Sequence, residues 1–162
     1  RNDVWWTRDQ YFSADKNKTI VQELIEKDLM NQVLAEKAES TYIWRQIVEL
    51  SKQIKVNNKV NQEALEVSCT YGRIKFELIE QMWIMMIYEQ LDTVINQKII
   101  LEEALIKYDT LWMEWERLYE SSPLCATLYT DTYLWDVREG SIGEFVDNNI
   151  RSRFNPIKSI GH

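Results

Sequence analysis

The sequence predicts an all-α fold: an antiparallel bundle of three long helices, followed by an aromatic-rich loop and a short C-terminal helix. Glycine and proline are scarce, with 4 Gly and 2 Pro in 162 residues, where average usage would supply about 19 of the two together. Before Ser122 there is no proline and only one glycine, Gly72, so nothing in the composition ends a helix over that stretch. Apolar residues recur there every three or four positions, as in helices with one buried face.

The first long helix is predicted to run from Thr19 to Ile54. Thr19 and Gln22 have the spacing of a capping box, in which two side chains satisfy backbone N–H groups at the start of a helix. An apolar stripe follows at once: Val21, Leu24, Ile25, Leu29, Val33, Ala38, Tyr42, Ile43, Ile47, Leu50 and Ile54. Asn57 and Asn58 interrupt it, and the chain is expected to turn there because asparagine amides compete with helical hydrogen bonds.

The second helix is predicted to begin near Val60 and to form the centre of the core. Its residues 82–88 are apolar without a break, as expected of a helix covered on several sides. A helix unbroken from Val60 to Ser122 would be roughly 90 Å long at 1.5 Å per residue, too long for a domain of this size. The polar stretch 92–98 is therefore predicted to separate it from a third helix, from about Ile99 to Glu120, which ends before Pro123.

Beyond Pro123 the chain changes in character. The β-branched and aromatic residues of 125–135 predict an ordered loop or one lone strand, and a short helix is expected near residues 142–153. The domain organisation is therefore an aromatic N-terminal arm over 1–18, a helical bundle over 19–122, and a segment over 123–162 packed on the bundle. The first residue is Arg1, not Met, which predicts a piece excised from a longer protein.

Charge and hydropathy exclude two classes of partner. With 19 basic and 26 acidic side chains the net charge is −7, which disfavours nucleic acid because binding requires cations that neutralise phosphates. The longest apolar run has seven residues, far short of the roughly 18 needed to cross a bilayer, so a soluble chain without a membrane span is predicted. Cys69 and Cys125 are expected to be free thiols. The localisation is left unknown.

The usual catalytic groups are missing from the sequence. Its one histidine is the terminal His162, so no metal site and no Ser–His or Cys–His pair is predicted. We predict no catalytic residue and no cofactor, and do not expect this chain to be an enzyme by itself. Two carboxylate pairs each share one helix face by their spacing, Glu77 with Glu80 and Glu116 with Glu120. Catalytic carboxylates require a cleft, so these pairs are interpreted as solvated faces.

The most distinctive feature is an aromatic stripe on the third helix: Tyr108, Trp112, Trp115 and Tyr119, spaced by four, three and four. The stripe is either the core-facing side of the helix or a face that stacks on a sugar or a partner helix. We expect Tyr108 and Trp112 to be buried and Trp115 or Tyr119 to be partly exposed. The candidate ligand-binding residues are Trp115, Tyr119, Tyr129, Tyr133 and Trp135.

The segment Tyr108-Asp109-Thr110-Leu111-Trp112 lies on an acidic helix that leads into an aromatic-rich loop. It resembles the helical segment that trails the catalytic barrel of bacterial exo-glycosidases of the β-N-acetylhexosaminidase type. The catalytic Asp–Glu pair of that family lies on the barrel, and the Asn-Arg-Pro that often follows Leu-Trp is not found here. The resemblance therefore implies a non-catalytic accessory piece of a carbohydrate-active enzyme and carries over no catalytic residue.

Together these observations predict a non-catalytic helical interaction or accessory module. Two alternatives remain, an accessory helical domain of a glycoside hydrolase and an extracellular ligand-sensing bundle. The expected partner is another protein or a neighbouring domain of the same protein, with a saccharide as a further option. An enzyme that uses only carboxylates is a third rival, and a cleft holding two of them with perturbed pKa values would favour it.

Overall fold

A computed structural model describes residues 14–128, residue 138 and residues 140–154. In these residues all regular structure is helical, which confirms the predicted all-α class. The elements are α1 (Ala14–Glu26), α2 (Met30–Gln53), α3 (Lys59–Glu89), α4 (Gln97–Ser121), α5 (Pro123–Leu128) and α6 (Ser141–Phe145). A π-helical turn (Val146–Ile150) and a 3-10 turn (Arg151–Arg153) follow α6.

The predicted first helix is in fact two helices, α1 and α2. Asp28 has a φ of 55°, a left-handed conformation that ends an α-helix and that aspartate tolerates. The N–H of Leu29 donates to the Leu24 carbonyl at 2.8 Å, and the N–H of Asp28 donates to the Ile25 carbonyl at 3.1 Å, the pattern of a Schellman cap. The prediction of one helix was wrong because the apolar period continues through this cap without the usual glycine. The helix also begins at Ala14, before Thr19.

The two predicted turns of the bundle are confirmed. Asn58 caps α3, because its side-chain oxygen accepts a hydrogen bond from the N–H of Asn61 at 2.9 Å. Helix α3 ends at Glu89, and α4 begins at Gln97 within the predicted polar break. The Gln97 side chain donates to the Tyr88 carbonyl at 2.8 Å, which ties the start of α4 to the end of α3.

Residues 123–128 differ from their prediction. They form the short helix α5 and not a loop or strand, since Pro123 occupies the first helical position, where its fixed φ fits and no N–H is needed. The short C-terminal helix is confirmed as α6 with the turns after it. Arg151 fastens this segment to α4 through two hydrogen bonds to Asp109, at 2.8 and 2.9 Å.

Helix α3 is the centre of the bundle. Helices α2 and α4 pack extensively along it and make at most marginal contact with each other, while α1, α5 and the π-helical turn contact α3 elsewhere. The predicted central residues are buried: Leu78, Met82, Trp83 and Met86. Both cysteines are free thiols, as expected. Of the helices described, none is both long and apolar enough to cross a membrane.

Gly72 marks the closest approach of α2 to α3. The Trp44 ring of α2 stacks on Phe76 of α3 with centroids 5.4 Å apart and planes inclined by 14°. A Cβ atom at Gly72 would lie 2.7 Å from Cε3 of Trp44 and nearer still to two other ring atoms. Glycine is therefore required here by helix packing, since a larger residue would push the indole off its stacking partner.

We predict that Gly72→Ala destabilises the protein by about 2 kcal/mol in chemical unfolding. Overpacking of this kind costs about 1 to 3 kcal/mol or more, while the better helix propensity of alanine recovers about 1 kcal/mol. Ser68→Ala, on an exposed position of α3, is the control and should change stability by no more than about 0.5 kcal/mol. In a Trp44→Ala background the cost of Gly72→Ala should disappear. A Gly72→Ala variant as stable as wild type would contradict the close approach.

Candidate functional site

The candidate site is an open cavity of about 320 Å³, which we call the charged groove. Its lining residues are Arg45, Arg73, Glu77, Gln81, Lys107, Thr110, Leu111 and Glu114. The groove exists because α2 and α4 both pack on α3 but not along each other. Helix α3 therefore forms the floor, and the other two helices form the walls.

Glu77 lies at the floor and is 5% exposed. Arg45 Nε donates to Glu77 Oε1 at 2.6 Å, and Arg73 donates to Glu77 Oε2. Arg73 also donates to Glu114, which joins all three helices in one ionic network. The interpretation of Glu77 as part of a solvated face is wrong, because a carboxylate at this depth needs partners for its charge.

The local sequence explains why the network forms on α3. The most buried helix carries a polar stripe with steps of three or four residues: Glu63, Glu66, Thr70, Arg73, Glu77 and Gln81. Within the stripe, Arg73 and Glu77 are four residues apart and thus neighbours on the helix surface. Sequence reasoning missed the groove because it read only the apolar stripe. Charged residues at helical spacing within the helix predicted to be the core were the signal that could have revealed it.

The walls of the groove supply further hydrogen-bonding groups. Lys107 of α4 is exposed, and none of the ion pairs between described residues involves it. The Thr110 hydroxyl donates to the Ile106 carbonyl at 2.8 Å. The buried Gln81 amide donates to Oε1 of Glu80 at 3.4 Å. Among these residues, Lys107 thus offers its donors to a ligand, while the Thr110 hydroxyl and the Gln81 amide already donate within the chain.

Glu80 lies beside the groove, and its pKa is raised above the ordinary value of 4.5, mainly by burial. The pKa is lowered by the nearby Thr41 hydroxyl and by the charges of Lys107 and Arg45. The charge of Glu77 raises it. Glu77 and Glu80 therefore differ in environment although they share a face: two arginines bind Glu77, while Glu80 is partly desolvated.

The aromatic stripe of α4 faces the core. Tyr108, Trp112 and Trp115 are buried, and Tyr119 is half-buried, so Tyr119 is the partly exposed member. The Trp115 ring lies 5.5 Å from Tyr71 and 5.7 Å from Tyr119, centroid to centroid. Burial raises the pKa of Tyr108 to about 12. Of the candidate ligand-binding residues that the structure describes, Tyr119 is thus half-buried while Trp115 is enclosed.

Several predicted features lie outside the described residues. These are the candidate ligand-binding residues Tyr129, Tyr133 and Trp135 and the aromatic residues of the N-terminal arm. A ligand-binding role for the aromatic set stays a prediction. No group of three or more His, Cys, Asp or Glu side chains suited to a metal ion occurs in the described part of the chain.

Comparison with protein-family models, with curated proteins and with solved structures gives no match to this chain. The fold and the groove define an all-α bundle with an ionic network at the floor of an open cavity. The resemblance of residues 108–112 to a glycosidase segment stays a prediction. In the structure, two of these residues, Thr110 and Leu111, line the groove, and Asp109 holds Arg151.

We predict that Glu77→Ala lowers the free energy of unfolding by about 3 kcal/mol. Removing one partner of a buried ion pair is costly because the other charge stays buried. Here Arg73, whose side chain is 15% exposed, would keep only Glu114 as a partner. Glu49→Ala is the matched control, because Glu49 pairs with Lys52 at the surface and should cost less than about 1 kcal/mol. Equal losses in urea unfolding for the two variants would contradict a buried network.

We predict that Glu80→Gln stabilises the protein more at about pH 7 than at about pH 4. The folded state raises the pKa of Glu80, so it holds this proton more tightly than the unfolded state. Ionisation of Glu80 therefore costs stability as the pH rises from 4.5 through the folded-state pKa, and glutamine avoids that cost. Thr41→Val removes a group that lowers this pKa, so it should enlarge the loss. A difference between wild type and Glu80→Gln that does not change with pH would refute the prediction.

Proposed function

We propose that this chain is a non-catalytic helical binding module and that the charged groove is its binding site. The observation that carries the proposal is the network of Arg45, Arg73, Glu77 and Glu114 at the floor of an open cavity. A buried ion pair contributes little net stability, because desolvation of the charges offsets their attraction. Polar groups that converge in a concave site are instead the usual means of orienting a ligand.

The state of the carboxylates favours binding over catalysis. Both oxygens of Glu77 accept from arginines, and Oε1 of Glu114 accepts from Arg73. A general base must have a lone pair within reach of the substrate proton, whereas both oxygens of Glu77, the deepest carboxylate of the groove, are engaged by guanidinium groups. All the lining side chains stand on long helices, which hold a binding site more rigidly than loops do.

The cavity is large enough for a small molecule, which supports the alternative that this module is a ligand-sensing bundle. Its volume of about 320 Å³ lies at the lower end of the range of small-molecule sites, about 300 to 1,000 Å³. The alternative of an accessory domain of a glycoside hydrolase depends on stacking by the aromatic set, in which Tyr119 is the accessible described ring. The groove is concave and lined by converging polar groups, so it is the preferred site.

We predict that Thr110→Trp abolishes ligand binding by filling the groove. Thr110 lines the cavity and is exposed, so an indole there can occupy the site without entering the core. Met113→Trp is the control, since Met113 is 57% exposed on α4 and lies outside the groove lining. Ligand-observed NMR with a mixture of amino acids, carboxylates, sugars, amines and phosphate measures binding to wild type and to both variants. If no compound in the mixture binds Thr110→Trp more weakly than it binds Met113→Trp, the result contradicts the proposal.

A further inference from the structure

We infer that the charged groove binds the carboxylate group of a small ligand, held between Arg45 on α2 and Lys107 on α4. This inference rests on the proposed function and names the chemistry that the groove recognises. Its basis is the hydrogen-bonding capacity left over once the contacts within the network are made. That remaining capacity consists mainly of donors.

Lys107 and Arg45 contribute most of these donors. A lysine ammonium has three N–H donors and an arginine guanidinium has five. Lys107 has no ion pair among the described residues, and Arg45 contacts only Oε1 of Glu77 while its side chain remains 64% exposed. Both oxygens of Glu77 already bind arginine, whereas the donors of Lys107 and the remaining N–H groups of Arg45 are left for a ligand. We therefore expect the ligand to bring an acceptor.

The charge of the lining favours a carboxylate over a phosphate. Three cationic and two anionic side chains line the cavity, and Glu80 interacts with Lys107 and Arg45 from beside it, so the site accommodates no more than one additional negative charge. A phosphate carries about −1.5 to −2 and would place the excess beside Glu77 and Glu114. The chain as a whole is acidic, with a net charge of −7, and does not attract anions from a distance. Affinity must come from short, directed contacts within the groove.

The geometry of the network also suits this ligand. The planar guanidinium fork matches a carboxylate, and Arg45 and Arg73 already bind one in Glu77. Arg73 is held on its other side by Glu114, so the floor of the groove is rigid. Leu111 adds an apolar surface to the lining, against which the carbon skeleton of a short carboxylic acid can pack.

The test is a calorimetric titration with butyrate, a short monocarboxylate, at constant ionic strength. We expect Lys107→Gln to weaken binding at least about tenfold, because a hydrogen bond to a charged group is lost. Lys107→Arg retains the charge and the donors and should stay within a few-fold of wild type. Lys98→Gln makes the same charge change at an exposed position of α4 outside the groove and should leave the affinity unchanged.

Additional ligands separate this inference from the proposed function. If phosphate or an uncharged compound binds better than butyrate and Thr110→Trp blocks it, the carboxylate inference is overturned while the binding module stands. If no compound responds to Thr110→Trp, both fall. Butyrate binding that is unaffected by Lys107→Gln also overturns the inference. A short peptide with one acidic side chain that binds more tightly than butyrate, with the same dependence on Lys107, would support the carboxylate chemistry and identify a partner side chain as its source.

Discussion

The structure depends on covering the apolar segment of α3 that begins at Met82. From Met82 to Ile87 every side chain is buried or half-buried, so this part of the helix needs neighbours on all sides. Helices α1, α2 and α4 and the π-helical turn provide them. Even a lysine participates, because the Lys37 ammonium lies 5.3 Å from the centre of the Trp83 ring, where the aromatic face favours a cation. The positions of the other helices follow from this requirement.

The same arrangement creates the groove. Two helices that flank α3 without meeting leave one of its faces open, and on that face the sequence places charged residues instead of apolar ones. Arg73 and Glu77 are thus deep enough to need each other and open enough to meet a ligand. One turn beyond Glu77 begins the fully apolar core. A single helix therefore serves as core at one end and as the floor of a polar site along its open side.

Some helix boundaries could be predicted from the sequence and others could not. The turns at Asn58 and before Gln97 were predictable because local chemistry decides them: an asparagine that caps a helix and a polar break in an apolar pattern. The break at Asp28 was not, because its left-handed conformation is stabilised by backbone hydrogen bonds that leave the apolar period intact. Helix α5 was missed because Pro123 can both end one helix and begin the next.

The sequence by itself determined the helical class, the buried centre of α3 and the burial of Tyr108 and Trp112, because apolar periodicity within one helix specifies which face must leave water. Only the tertiary structure decided the site. Arg45, Glu77 and Lys107 lie on three different helices, and their approach depends on how α2 and α4 pack against α3. Whether a glutamate is solvated or buried in an ion pair is set by such neighbours, which are remote in sequence, so the polar stripe of α3 could indicate a polar face but not the depth of Glu77 or its partners.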